Sequence, residues 1–173
     1  ALLVGKGKMW VDDLTVTVDG KRVEKLQPFQ KKLFPADADT EFDKSSGLSN
    51  LTLNQNQSSD LVTLGLVWGF LKYYHPKIAT GTYNWDYELF RILPKILNSK
   101  TKENRDAVLT EWITSLGTFS EGKPLKTNPS TQKITPDLDW ITDSGFSQSL
   151  STLLLEVKNA ERPNANYYVD FES

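Results

Sequence analysis

The stretch that decides the fold is Asp60-Leu61-Val62-Thr63-Leu64-Gly65-Leu66-Val67-Trp68-Gly69-Phe70-Leu71-Lys72-Tyr73-Tyr74-His75-Pro76. Leu61, Leu64, Val67, Trp68, Leu71 and Tyr74 recur every three or four residues, the spacing of an amphipathic helix with one buried stripe. Asp60 is a suitable N-cap and Pro76 a terminator, so a helix is expected from Asp60 to the residue before Pro76. The same reading extends C-terminally. A second helix is expected from Asn84 or Asp86, turning Tyr87, Phe90, Leu93, Ile96 and Leu97 inward, with a kink or an early end at Pro94, which lacks an N–H. Thr101 caps a third, carrying Val108, Leu109, Trp112, Ile113 and Leu116 and closed by Gly117 in the left-handed position. A fourth runs from about Ser147 to Asn159 through Leu150, Leu153, Leu154 and Val157. One core is expected, in which Leu61, Leu64, Trp68 and Leu71 face Phe90, Leu93, Trp112 and Leu116, with His75 near the surface at a helix end.

N-terminal to these helices the period changes to two. Leu14, Val16 and Val18 alternate with Thr15, Thr17 and Asp19, the pattern of a strand with one buried face. Asp19-Gly20 supplies a two-residue turn and residues 21–23 return as a second strand. Residues 1–4 read as another strand, separated by Gly5-Lys6-Gly7-Lys8. Hairpins of this size are marginal alone and need a further layer. Residues 35–59 are rich in Asp, Ser, Asn and Gln and read as a linker, held to a folded neighbour by Phe42, Leu48, Leu51 and Leu53. A loop with Pro124, Pro129 and Pro136 joins the third and fourth helices, and Tyr167-Tyr168-Val169-Asp170-Phe171 reads as a short C-terminal strand. The expected class is α+β, mainly α. It divides into a β-hairpin unit (1–34), a linker (35–59), a helical domain (60–162) and a terminal strand segment (163–173).

Composition narrows the chemistry. The 173 residues carry a formal net charge of -2, which provides no basic footprint for nucleic acid. The longest apolar run, 61–71, is far short of the roughly 20 residues that span a bilayer. Cysteine is absent and His75 is the single histidine, which excludes thiolate nucleophiles, disulfides, iron–sulfur clusters and multi-His metal sites within the chain. No cofactor is expected. Beginning at Ala1 without an initiator Met or a basic leader, the chain reads as a processed or excised piece.

Several residues offer chemistry. Gly145-Phe146-Ser147-Gln148-Ser149 has the first Gly and the Ser of a nucleophile elbow but Ser149 in place of the second Gly, and Ser147 also stands where a helix needs an N-cap, the favoured reading. Gly5-Lys6-Gly7-Lys8 lacks P-loop spacing. His75 is the natural general-base candidate, yet its place in a last helical turn favours a structural role beside the C-terminal dipole. Carboxylates pair at Asp12-Asp13, Asp37/Asp39, Glu41/Asp43 and Asp137/Asp139; Asp12 or Asp13 is a candidate Ca2+ ligand, although without a D-x-D-x-D-G loop solvent exposure is the favoured reading. Among the aromatics, Trp68 and Trp112 lie on apolar stripes, whereas Tyr73, Tyr83 and Trp85 are less determined and are the candidate substrate-binding residues, able to form a platform if they line one open groove.

Residues 66–97, with Leu66-Val67-Trp68-Gly69-Phe70-Leu71-Lys72-Tyr73-Tyr74-His75-Pro76 followed by Tyr83-Asn84-Trp85-Asp86-Tyr87-Glu88-Leu89-Phe90-Arg91-Ile92-Leu93-Pro94-Lys95-Ile96-Leu97, resemble the N-terminal helical region of S41-family serine peptidases, the tail-specific or C-terminal-processing proteases, in their Bacteroidetes-type members. The likeness continues through Trp112-Ile113-Thr114-Ser115-Leu116-Gly117 and residues 146–169, about two-thirds of the chain. Lys8-Met9-Trp10-Val11-Asp12-Asp13-Leu14 resembles the closing strand of a galactose-binding-like β-sandwich. The resemblance implies an accessory, non-catalytic region of a secreted, periplasmic or cell-surface peptidase. Its partners would be the protease core of the parent and, through it, a protein or peptide substrate. The catalytic Ser and Lys of that family belong to a core outside the matched region, so no catalytic residue is assigned. The competing reading is a carbohydrate- or protein-binding accessory module without protease function. A hairpin stripped of its sandwich would expose an edge, which predicts either a homodimer through residues 8–18 or pairing with residues 167–171.

Overall fold

The computed structural model describes residues 6–8, 12–27, 32–49, 51–122 and 136–169. The strand expected at residues 1–4, Trp10, Pro124, Pro129 and the end of the terminal strand at Asp170 and Phe171 lie outside the described residues. The chain divides into two units, Ala1–Lys32 and Leu33–Ser173.

In the first unit β1 (Thr17–Val18) and β2 (Lys21–Arg22) pair antiparallel, Thr17 opposite Arg22 and Val18 opposite Lys21. Asp19 and Gly20 take φ of 50° and 74°, the left-handed pair that a two-residue hairpin turn requires. A 3-10 turn, Val23–Lys25, follows, and the Val23 N–H reaches the Val16 carbonyl at 2.9 Å. The turn is as expected, but the buried face is not: Leu14 is 76% exposed, and Val16, Val18 and Val23 are close to half exposed. Among the described residues of this unit, two strands of two residues are the whole sheet and offer no second layer to cover an apolar face.

The second unit is helical: α1 (Pro35–Ala38), α2 (Gln55–Tyr74), α3 (Pro76–Ala79), α4 (Trp85–Leu97), α5 (Lys102–Ser115), α6 (Trp140–Asp143) and α7 (Gln148–Lys158). The protein is therefore mainly α with a small β part. Four caps are local and polar: Asn54, Asn84, Thr101 and Ser147 each accept the backbone N–H three residues ahead. Three of these coincide with the starts read from sequence. The exception is α2, which begins at Gln55 and not at Asp60. Asn54 and Gln57 satisfy each other's backbone N–H groups in a reciprocal box, and Gln57 Nε2 also donates to the Leu97 carbonyl at 3.0 Å, so the helix gains a turn and its start is pinned to the end of α4. Asp60 is released from capping and lies buried inside the helix.

Pro94 does not end its helix early. α4 runs three residues further, where Ile96 is fully buried, and that packing holds the last turn despite the missing donor. The core joins Leu64, Val67 and Leu71 of α2 to Trp85, Ile92 and Ile96 of α4, Leu109, Trp112 and Ile113 of α5 with Leu116 beyond it, Ile141 of α6, and Leu150, Leu154 and Val157 of α7. Each such side chain contributes about 1.5–3 kcal/mol by leaving water. Leu61, Trp68, Leu93 and Leu153 border this core, half-buried. Phe90, expected inside it, instead joins Phe42 and Tyr87 in a separate aromatic group on the other flank of α4, with Phe42 and Phe90 centroids 5.4 Å apart. Phe42 thus anchors the stretch read as a linker, as expected, whereas Leu51 and Leu53 remain exposed.

Two further expectations fail. His75, expected near the surface, is 0% exposed, because it is at once the C-cap of α2 and the N-cap of α3 and the chain folds over it there. Residues 167–169 form no strand. The Tyr167 N–H donates to the Ala79 carbonyl at 2.8 Å, its ring rests on Phe34 and its hydroxyl donates to Asp37 at 2.8 Å, so this residue straps α3 by its main chain and α1 by its side chain. Between them sits Gly81 at φ +70°, where an added Cβ would fall 2.9 Å from both Phe34 and Tyr167. Only glycine satisfies the backbone and the space at that point.

Candidate functional site

Of the three candidate binding residues, Trp85 lies at the centre of a stack of three indoles. α2 presents Trp68, the start of α4 presents Trp85 and α5 presents Trp112. Trp85 lies between the others, its ring within 5° of parallel to both, at centroid distances of 6.4 Å to Trp68 and 5.0 Å to Trp112. Each of Trp68 and Trp85 donates its Nε1–H to the other's backbone carbonyl at 3.0 Å, and Trp112 Nε1 donates to Glu88 at 3.2 Å. All three indole donors are satisfied, as burial requires. Tyr168 closes the outer end: its hydroxyl accepts the Trp85 N–H at 2.7 Å and donates to the Tyr83 carbonyl at 2.6 Å. Burial of that phenol pushes its pKa up to about 12. The Lys72 ammonium lies 5.2 Å from the rings of both Trp68 and Tyr168, a cation over two π faces.

The structure does not bring Tyr73, Tyr83 and Trp85 into one groove. Trp85 is fully buried, Tyr83 is half-buried with its hydroxyl donating to the Leu116 carbonyl at 3.1 Å, and only Tyr73 is open, 49% exposed. A flat aromatic platform for a sugar ring cannot be made from them. Near Tyr73 on α2, Val62 and Leu66 are also exposed, and an added Cβ at Gly65 or Gly69 would meet nothing within 4 Å. The two charged residues of this helix are engaged elsewhere, Asp60 with Arg105 and Lys72 with the rings, so this face of α2 presents uncharged groups.

Ser147 is a cap. Its Oγ accepts the Leu150 N–H at 3.4 Å and lies 3.1 Å from Ser149 Oγ, while its own N–H donates to Asp106 at 2.6 Å. His75 is enclosed and cannot act on a substrate from solvent; burial first, then the charge of Lys77, lowers its pKa to about 4. The dipole interaction expected of a charged His at this helix end is thereby outweighed by desolvation.

Two ion clusters stand out that the sequence reading missed. Arg105 of α5, 3% exposed, donates twice to Asp106, at 3.0 and 2.8 Å, and once to Asp60 of α2 at 3.0 Å, while its guanidinium faces the Phe146 ring. Asp106 then accepts from Ser147, so one charge group joins α2, α5 and the start of α7. A signal existed: residues 105, 109, 112 and 116 share one helical stripe, which put an arginine on the buried face. The second cluster is half-exposed. Arg91 of α4 binds Asp39 at 2.8 Å, Glu41 at 2.8 Å through Nε and Glu88 at 2.7 Å. Partial burial opposes its charge, but these bonds hold its pKa above the usual arginine range. The Tyr87 hydroxyl donates to Asp43, which pushes its pKa up to about 12. The carboxylates Asp37, Asp39, Glu41 and Asp43 are therefore ties between segment 34–43 and the rest of the helical unit. Asp12 and Asp13 remain exposed.

Two open hollows mark the surface. One, about 380 Å3, is lined by Leu48, Leu51 and Leu97 together with Thr52, Gln57 and Asn98 and is mixed in polarity. The other, about 390 Å3, lies between α4 and α5 beside Lys95, Lys100, Asn104 and Glu111. Neither contains Tyr73, Tyr83 or Trp85. Among the described residues no group of three or more His, Asp or Glu is placed to hold a metal ion, and no helix is long and apolar enough to cross a membrane. No protein-family model, curated protein or solved structure matches the chain.

Proposed function

We propose that this chain is a non-catalytic helical scaffold from a periplasmic, cell-surface or secreted S41-type serine endopeptidase, which supports the protease core or guides a protein or peptide substrate to it. The observation that carries this reading is a correspondence between the resemblance and the packing. The four segments on which the likeness rests, 66–76, 83–97, 112–117 and 146–169, supply Trp68, Trp85, Trp112 and Tyr168, the members of one continuous lock. Segments matched separately in sequence are thus the segments that depend on each other physically. The buried indoles serve rigidity, and rigidity is what a scaffold requires. The test is the coding sequence on the C-terminal side of Ser173. A Ser and a Lys in S41 context, with peptide hydrolysis that disappears when that Ser is replaced by Ala, are the expected result; a reading frame without such a pair overturns the proposal.

A second reading, an accessory module that binds a protein without protease function, draws on the uncharged exposed face of α2 formed by Val62, Leu66 and Tyr73. The carbohydrate version of that reading loses its platform with the burial of Trp85.

A further inference from the structure

The α2–α3 corner holds the one imidazole of the chain in a setting that admits only its neutral form. His75 is 0% exposed, and among the described residues neither Nδ1 nor Nε2 has a hydrogen-bond partner. The edge of the Phe119 ring meets the imidazole at a centroid distance of 5.3 Å and an interplanar angle of 82°. A neutral imidazole tolerates this apolar contact at the cost of its own hydrogen bonds, whereas an imidazolium would present two N–H donors and a charge to it.

Among the described residues, no charged group makes a hydrogen bond to the imidazole. On α3 the nearest is Lys77, a second cation. On α2 the Lys72 ammonium is held over Trp68 and Tyr168, and from segment 159–162 the Arg162 guanidinium stacks 4.2 Å from the Tyr74 ring. The carboxylates of segments 117–122 and 159–162, Glu121 and Glu161, are both exposed, and the Glu121 backbone bridges to Ala160. The field at His75 therefore adds to desolvation in opposing a positive charge.

Both flanks of the helical unit are tied to this corner. The Ala36 N–H of α1 donates to the Gly81 carbonyl at 3.0 Å, and the Tyr167 N–H donates to the Ala79 carbonyl at 2.8 Å. Whatever displaces α3 loosens these two straps together.

We propose that the α2–α3 corner is an acid-sensitive latch: protonation of His75 drives the imidazole out from beneath Phe119, opens the corner and releases the straps at residues 34–38 and 166–168 while the rest of the helical core stays folded. The direction follows from linkage. The closed corner binds the neutral ring, so it is favoured above the ordinary histidine pKa and is lost as the pH falls from 6.5 toward about 4. Over that window the opening equilibrium rises by up to about tenfold per pH unit. This inference does not depend on the parent being a peptidase.

Because the chain has one histidine, a single imidazole Cε1–H resonance reports the titration. Two measurements on the full chain test the latch. An NMR titration is expected to place the His75 midpoint well below 6.5, and a midpoint at or above 6.5 overturns the proposal. Amide hydrogen exchange, corrected for the intrinsic pH dependence, is expected to show residues 76–82 and 166–168 losing at least about tenfold in protection between pH 7 and pH 5, while 64–71 keep theirs. In His75→Phe and His75→Gln, which cannot take up the proton, that acid loss is expected to vanish. Equal acid loss in a folded variant, or a simultaneous loss at 64–71 in the parent chain, overturns the latch. If neither variant folds, the titration and the residue-resolved exchange of the parent chain still decide.

Discussion

Trp68 and Trp85 are bonded twice over, each indole N–H donating to the other residue's carbonyl at 3.0 Å while the rings lie within 5° of parallel. The arrangement ties the middle of α2 to the first residue of α4 through two polar bonds inside an apolar core. Its consequence is a steep contrast between aromatics that looked equivalent in sequence. Trp85→Ala removes a fully buried ring and the bond its indole donates to the Trp68 carbonyl, and is expected to cost about 3–5 kcal/mol. Tyr73→Ala removes a half-exposed ring and is expected to stay within about 0.5 kcal/mol. Urea melts with unchanged slope check the pair, and similar costs for the two would contradict the stack as a determinant of stability.

The two arginines differ in the same way. Arg105→Ala leaves Asp60 and Asp106 buried beside each other without their cation, and the expected loss is about 3–5 kcal/mol. Arg91, with its partners close to solvent, is expected to contribute no more than about 1 kcal/mol. Salt separates them further. Raising ionic strength should erase most of the Arg91→Ala effect and little of the Arg105→Ala effect, read as denaturation midpoints in low and high NaCl.

Stability is expected to fall at both ends of the pH scale, for opposite reasons. His75 has a lowered pKa, so its neutral-state contribution is complete above 6.5 and disappears as the pH drops toward about 4. Tyr168 has a raised pKa, so its contribution is complete below pH 10 and disappears as the pH rises through about 12. Tm measured across pH checks both limbs. Phenolate absorbance near 295 nm should show Tyr87 and Tyr168 ionising last, and ionisation of all six tyrosines near pH 10 would contradict the Tyr87–Asp43 hydrogen bond and the burial of the Tyr168 phenol.

A fluorophosphonate serine-hydrolase probe is expected to leave the chain unlabelled. Ser147, the residue nearest to an elbow motif, has its oxygen engaged with the Leu150 N–H and Ser149, while the neighbouring Asp106 carboxylate is bound to its backbone N–H and to Arg105. Stoichiometric labelling, located by peptide mass mapping, would overturn the assignment of Ser147 as a cap.

Gly81→Ala tests the straps independently of His75. The substitution places a Cβ 2.9 Å from Phe34 and Tyr167 in a left-handed backbone, and about 1–3 kcal/mol of destabilisation is expected. Limited proteolysis should then cut near residues 34 and 167 sooner than in the parent chain. An unchanged cleavage pattern would mean that these segments are held elsewhere.

The sequence by itself determined what depends on neighbours a few residues away. The starts at Asn84, Thr101 and Ser147 were legible because a cap bonds three residues ahead, and the stripes of α5 and α7 because a helix returns every 3.6 residues. The left-handed Asp19-Gly20 turn was legible for the same reason. The tertiary structure alone decided which of two local options won. Asp60 was as good a cap as Asn54 until Arg105, 45 residues away, required its carboxylate. Pro94 would have ended a helix that did not bury Ile96, and His75 would have charged at a helix end that Phe119 did not cover. Trp85 heads the stripe Trp85, Leu89, Ile92 and Ile96, which competed for the core with the one through Tyr87 and Phe90, and it is the buried one because Trp68, Trp112 and Tyr168 converge on Trp85 from three distant segments. Burial is a property of where other elements arrive, and a period of 3.6 or 2 along one element carries no record of that.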